Sequence, residues 1–181
     1  MEKTARAAKG EENFLYPVPA VMISCGDFES GGNLNIITLS WVGVLCSAPP
    51  YLYVSIRPSR HSHGIIKETG DFVINIVTTE LAASADFCGV KSGRDVDKFK
   101  ETGLTPVKSQ FVKAPGIAET AVNIECAVRE IKPLGSHDVF IAEAVGVSFS
   151  DYDAAKLICN AGGKYYELGN FIGKFGYSIK K

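Results

Sequence analysis

The chain has 181 residues, 46% of them hydrophobic and 22% charged. Area scaling buries roughly 70% of the unfolded surface of such a chain, so one domain can hold without a disulfide or metal staple, and this composition excludes disorder of the whole chain. With 19 basic and 20 acidic residues the net charge is -1, which excludes a broad nucleic-acid surface but not a local anion pocket.

Residues 1–13 are charged and small and are expected to form a flexible arm, with residues 14–181 as a single domain. The N-terminus carries no apolar core of a secretory signal. Tyr16 to Cys25 is β-rich, with Pro17 and Pro19 placing its start at a sheet edge. Asp27 to Gly32 is a turn, and Asn35 to Leu45 reads as one strand. The Ala48-Pro49-Pro50 break leads to a strand at Tyr51 to Ile56. Ser62 to Thr69 is a short helix, with Ser62 as its N-cap and Gly70 as its stop.

Phe72 to Val77 is a buried strand, and Thr79 to Phe87 a helix that ends before Gly89. Asp95 to Thr102 is a short polar helix stopped by Gly103, and Gly103 to Ile117 is loop-rich. Two long strands, Ala121 to Ile131 and Val139 to Phe149, flank a turn at Pro133–Asp138. A C-terminal loop contains Gly162-Gly163. Strands do not alternate with long helices, so the fold class is mainly β: an antiparallel barrel with a few short helices.

Residues Ser30 to Ile56 carry no formal charge, which is long enough to span a bilayer. Their apolar residues fall in strand-length pieces among Asn, Ser, Thr and Pro, so they read as soluble core strands. Five widely spaced cysteines without a C-x-x-C indicate small buried side chains in a reducing, cytoplasmic compartment.

The window Ser55-Ile56-Arg57-Pro58-Ser59-Arg60-His61-Ser62 has the most chemical content. It joins a strand to a helix N-terminus and carries two guanidiniums, an imidazole and three hydroxyls. Charge-assisted hydrogen bonds and the positive helix end would suit a phosphate monoester. A solvated loop with one helix cap is the plainer alternative. The window Asn35 to Trp41 sets the only tryptophan among small polar residues, with Asn35 and Leu39 on a common face if the strand is regular. Such a wall suits a flat heteroaromatic ligand; an ordinary core tryptophan is the alternative. Lys91 to Phe99 reads as an exposed loop opening a helix. His61 and His63 have no carboxylate beside them, so no metal site is expected. No nucleophile motif and neither of the two common phosphate loops is present.

Several segments together carry a resemblance: NIITLSW, YLYVSIRPSRHSHGIIKETGDFVIN after the Pro pair, ADFCGVKSGRDVDKF, GLTP and APGIAETAVNIEC, with a weaker echo in YYELGNFIGKFG. In that order and spacing the chain resembles the flavin reductase-like FMN-binding family, and within it the flavoredoxin branch. The resemblance implies an FMN-binding split β-barrel that forms a homodimer. It implies that the strand of Asn35, Thr38, Leu39, Ser40 and Trp41 lines the isoalloxazine, and that Ser55, Ile56, Arg57, Arg60, His61 and Ser62 surround the phosphate. It also implies that Lys98, and Tyr166 or its neighbour Tyr165, lie near the ring. Two activities follow from it. One is a flavin reductase drawing hydride from NAD(P)H. The other is an FMN electron carrier fed by a redox partner protein. No membrane or nucleic-acid partner is expected.

Overall fold

The β-rich segment at the start of the chain forms two strands, β1 (Val18–Pro19) and β2 (Val21–Asp27). The computed structural model describes residues 3–5, 7 and 14–172, so the arm expected at 1–13 lies largely outside the described residues. β2 is almost entirely buried because cores lie on both of its faces. Val21, Ile23 and Cys25 belong to one core, and Met22, between them, to a second. A strand covered on both sides reads as a continuous apolar run. Gly26 adopts φ 108 at a bulge, where an added Cβ would stand 2.5 Å from the Asn33 carbonyl oxygen. Glycine is therefore required there.

Asn35 to Leu45 is not one strand. The chain forms β3 (Gly32–Leu39), breaks at Ser40-Trp41, and resumes as β4 (Val42–Ser47), which turns into β5 (Pro50–Ile56). The remaining large strands are β6 (Asp71–Ile76), β9 (Val122–Pro133) and β10 (Asp138–Phe149). Between β6 and β9 lie the two-residue strands β7 (Pro106–Val107) and β8 (Gly116–Ile117).

The seven-stranded sheet runs β3-β2-β6-β9-β10-β5-β4, with antiparallel pairing throughout. Consecutive strands β3 and β4 thus occupy opposite edges. Laid flat, the edges would stand about 29 Å apart. The link from Leu39 to Val42 reaches only about 11 Å. The sheet must curl until its edges meet, and Ser55 N donates to the Trp41 carbonyl at 2.9 Å, extending the β4–β5 ladder up to the crossing. The result is a split barrel.

Helix α1 (His61–Thr69) contributes Ile65 and Ile66 to the barrel core. It stops at left-handed Gly70, as expected, but its N-cap is Arg60. Ser62 sits buried in the first turn, where its hydroxyl meets a strand instead of capping the helix.

A 3-10 turn (Thr79–Leu81) precedes α2 (Ala82–Val90), which runs through Gly89 rather than ending before it. That glycine backs onto Thr38, so close helix–strand packing accounts for the small residue. α3 (Lys98–Thr102) starts three residues later than Asp95, because the Asp97 carboxylate caps it by accepting from Lys100 N. β11 (Ile158–Ala161) and β12 (Lys164–Glu167) join β1 in a small sheet, with Gly162-Gly163 forming their turn. No helix among the described residues is long and apolar enough to cross a membrane.

Candidate anion and flavin site

Strand alternation divides the candidate residues of β3 between two faces. Ile36 belongs to the outer core that packs beneath α2. Thr38 faces the same way, and its hydroxyl donates to the Ala85 carbonyl of that helix. Asn35 and Ile37 face the other way. Asn35 is buried, and its Nδ2 donates to Ser62 Oγ at 2.8 Å, which ties β3 to the first turn of α1.

This tie lies at a cavity of about 180 Å³. Its lining gathers Asn35, Arg60, His61, Ser62 and Lys98, all predicted from sequence, together with Lys91 and Arg94. Arg94 is held over the mouth of α1 by its guanidinium, which donates to the Ser59 carbonyl at 3.0 Å. Gly93 is packed so closely that an added Cβ would stand 2.2 Å from Asn35 Oδ1.

Lys98 is the unusual group in this site. It is only 3% exposed, and its Nζ donates to the carbonyls of Ile36 and Cys88, each at 2.6 Å. No carboxylate pairs with it among the described residues. Burial lowers its pKa, and the nearby Arg60 pushes the same way; the Cys88 and Cys25 thiols act in the opposite sense. Those thiols are not counter-ions at neutral pH, since burial raises Cys25 to about 12 and Cys88 to about 11. His61 is lowered by burial and by the positive charges of Arg94 and Lys98. The pocket therefore holds an excess of positive charge over a buried ammonium. Several cationic groups with no carboxylate in the lining form an arrangement suited to an anion.

The other predicted residues lie elsewhere. Ser40, Trp41 and Ser55 line a separate apolar cavity of about 460 Å³ with Tyr53 and Val139. Trp41 is 41% exposed, and its ring stacks on His137 with centroids 4.4 Å apart. Arg57 is exposed and lines neither cavity. With Arg60 it acts on His137, whose pKa is lowered first by burial and then by these two charges. Ile56 and Leu39 pack in or against the barrel core, so only their backbones are free to meet a ligand. Tyr165 packs on the outer core and hydrogen-bonds Asp86, whereas Tyr166 is 50% exposed on β12 and lines none of these cavities.

Two contributors, Lys91 and Arg94, read in the sequence as a solvated helix start; their glycine-linked spacing is the one signal that they belong to a loop folded over the pocket. His137 carried no signal, because its stacking depends on a hairpin tip meeting a residue nearly 100 positions away. Among the described residues no group of three or more His, Cys, Asp or Glu side chains could hold a metal ion.

Comparison with known proteins gives this geometry its context. An uncharacterised protein of Archaeoglobus fulgidus is 36% identical over 138 residues, covering 76% of each chain. The flavoredoxin of Desulfovibrio vulgaris (Miyazaki F) superposes with a TM-score of 0.81 at 30% identity, covering 94% of this chain and 97% of that one. The flavoredoxin of Methanosarcina acetivorans shares the fold with a TM-score of 0.83 at 23% identity, covering 94% and 95%. The flavin reductase like domain matches residues 14–169, and the chain belongs to that family.

Proposed function

We propose that this chain is an FMN-binding oxidoreductase that takes hydride from NAD(P)H. The observation that carries the reading is Lys98: a buried ammonium without a carboxylate partner, in a pocket that also collects Arg60, His61, Arg94 and the N-terminus of α1. A phosphate monoester answers that charge. Bound flavin would supply the redox chemistry, and the protein its binding, orientation and electrostatics. Arg60 and Arg94 would hold the phosphate, with Asn35 and Ser62 setting the pocket floor. Ser40, Trp41 and Ser55 offer a flat wall with polar edges for the ring system.

The electron-carrier reading would have bulky side chains shield the ring. Two of the three candidates are engaged elsewhere: Lys98 holds two carbonyls, and Tyr166 stands on the small sheet away from the cavities. An accessible ring favours the reductase. We also propose a homodimer, supported by exposed Val44, Leu45, Val147 and Phe149 on β4 and β10. A dimer mass in light scattering at micromolar concentration is expected; a monomer mass would overturn it.

The deciding experiment mixes the FMN-loaded protein anaerobically with NADH and then NADPH and follows flavin absorbance. Rapid bleaching by either nucleotide is expected. A bound flavin that dithionite bleaches and neither nucleotide touches would establish the carrier instead.

A further inference from the structure

Successive residues in the first turn of α1 face different ways. Ser62 lines the anion pocket, where it meets Asn35 of β3. His63 lines neither that cavity nor the apolar one. Its ring packs edge-on to Phe140, with centroids 5.2 Å apart and planes at 79°. Its Nε2 stands 2.8 Å from Oδ2 of Asp138, the first residue of β10. The ring nitrogen donates there, because an ionised carboxylate only accepts. No carboxylate stands beside this histidine in the sequence; the fold brings one from 75 positions away.

The two side chains are only 9% and 15% exposed. An apolar pair of similar volume would fasten helix to strand about as firmly, so cohesion alone does not account for them. What the pair adds is direction, since a hydrogen bond holds one nitrogen on one oxygen. β3 and β10 are not neighbours in the sheet. Ser62 and His63 thus tether the first turn of α1 to two separate strands.

Asp138 is also where the tip of the β9–β10 hairpin begins. Within the tip, Leu134 N donates to the His137 carbonyl at 2.9 Å, and Ser136 Oγ lies 2.9 Å from His137 Nδ1. The tip closes on itself and carries His137 with it. His137 stacks on Trp41, and Trp41 lines the apolar cavity. One line of contacts therefore runs from the turn of Arg60, His61 and Ser62, through His63, Asp138 and His137, to Trp41.

We propose that Asp138 is a positioning residue: its bond to His63 sets the hairpin tip, and through His137 the Trp41 ring, at a fixed offset from the anion pocket. The ligand served is one with a phosphate at one end and a flat ring at the other, so the inference deepens the function proposed above and rests on it.

Calorimetric titration of the full chain and its Asp138→Leu and Asp138→Asn variants with FMN and with inorganic phosphate tests this. The single tryptophan is followed in parallel by near-UV circular dichroism without ligand. Asp138→Leu removes the bond and is expected to flatten the Trp41 band. It should weaken FMN by about threefold to tenfold, the scale of one aromatic contact, while phosphate affinity holds within about twofold. Asp138→Asn keeps an acceptor for Nε2 and is expected to restore both the band and the FMN affinity. If Asp138→Leu does not fold, His63→Phe carries the same test, since it keeps a ring against Phe140 and cannot donate. An unchanged Trp41 band in the folded variant would overturn the positioning role. So would FMN and phosphate weakened by the same factor, or an Asn variant as impaired as the Leu one. Wild type that binds neither FMN nor phosphate sinks the proposed function, whereas the Trp41 band, read without ligand, decides by itself whether Asp138 sets the ring.

Discussion

Trp41 and His137 stack with ring centroids 4.4 Å apart and planes tilted by 39°. The contact pins the tip of the β9–β10 hairpin against the crossing between the two sheet edges. His137 is held below its usual pKa by burial and by Arg57 and Arg60. Its neutral form is therefore favoured at pH 7, and protonation waits for more acidic solution.

A fluorescence titration should read this directly, since the chain has one tryptophan and a stacked imidazolium quenches indole emission. Emission is expected to fall as pH drops through a midpoint below 6.5, and His137→Gln should abolish the step. Added FMN obscures the signal, so inorganic phosphate is the better probe. An anion held by Arg60 offsets part of that repulsion and should move the midpoint upward. A midpoint at or above 6.5 without anion would contradict the burial of His137 first and the placement of those guanidiniums with it.

Lys98→Met tests the counter-ion argument. Methionine fills the apolar path of the lysine stem but leaves the Ile36 and Cys88 carbonyls without their donor, at a cost of about 1–3 kcal/mol each. The variant should melt earlier, and phosphate should no longer raise its Tm. The wild type should gain Tm with phosphate by mass action. The alkaline limb has a definite sign as well. Because the folded-state pKa of Lys98 is lowered from 10.5, the unfolded chain binds more protons between that lowered pKa and 10.5. Ligand-free wild type should thus gain stability from this group as pH climbs towards 10.5, a gain the variant lacks.

Much of this site was legible before any coordinates. Arg60, His61 and Ser62 sit in one short window at a strand-to-helix junction, where local chemistry alone suggests an anion. The barrel followed from strand lengths and from the scarcity of helices. Two features were not local. The break at Ser40-Trp41 is set by closure of the sheet, and nothing in the composition of Asn35 to Leu45 interrupts a strand. The role of Ser62 also escaped, since a serine at a helix start is ordinarily a cap. Here its hydroxyl is taken by Asn35, 27 residues earlier. Composition sets Lys98 in a short polar helix, only the resemblance brings it to the site, and the packing of α3 against β3 is what turns it inward.

Gly93→Ala should disturb the anion pocket more than the fold. The added methyl would stand 2.2 Å from Asn35 Oδ1, so either the loop carrying Arg94 lifts or the Asn35–Ser62 bond breaks. Loop movement draws Arg94 from the pocket, and the loss of one charged hydrogen bond is about 1.5–3 kcal/mol of phosphate affinity. Breaking the bond instead strands a buried amide and lowers Tm. Ser62→Ala isolates the second effect, with an expected loss of about 1–3 kcal/mol in stability. Weaker phosphate binding at unchanged Tm in Gly93→Ala would identify loop displacement.

The five cysteines should react in a fixed order with a thiol reagent at pH 8. Cys46 is exposed on β4 and should be labelled at once. Cys159 is half-buried and should follow more slowly. Cys25, Cys88 and Cys126 are buried, and burial raises their thiols to about 12, 11 and 12. The thiolate is the reactive form, so at pH 8 these three carry almost none of it and lack access besides. They should stay silent in the native state and react only on unfolding in denaturant. Phosphate or FMN should then protect them further by stabilising the native state, with Cys88 the most informative because its carbonyl is held by Lys98 beside the pocket. Rapid native-state labelling of Cys88 would mean that α2 opens readily, and the Lys98 tether would then be too weak to position the anion loop.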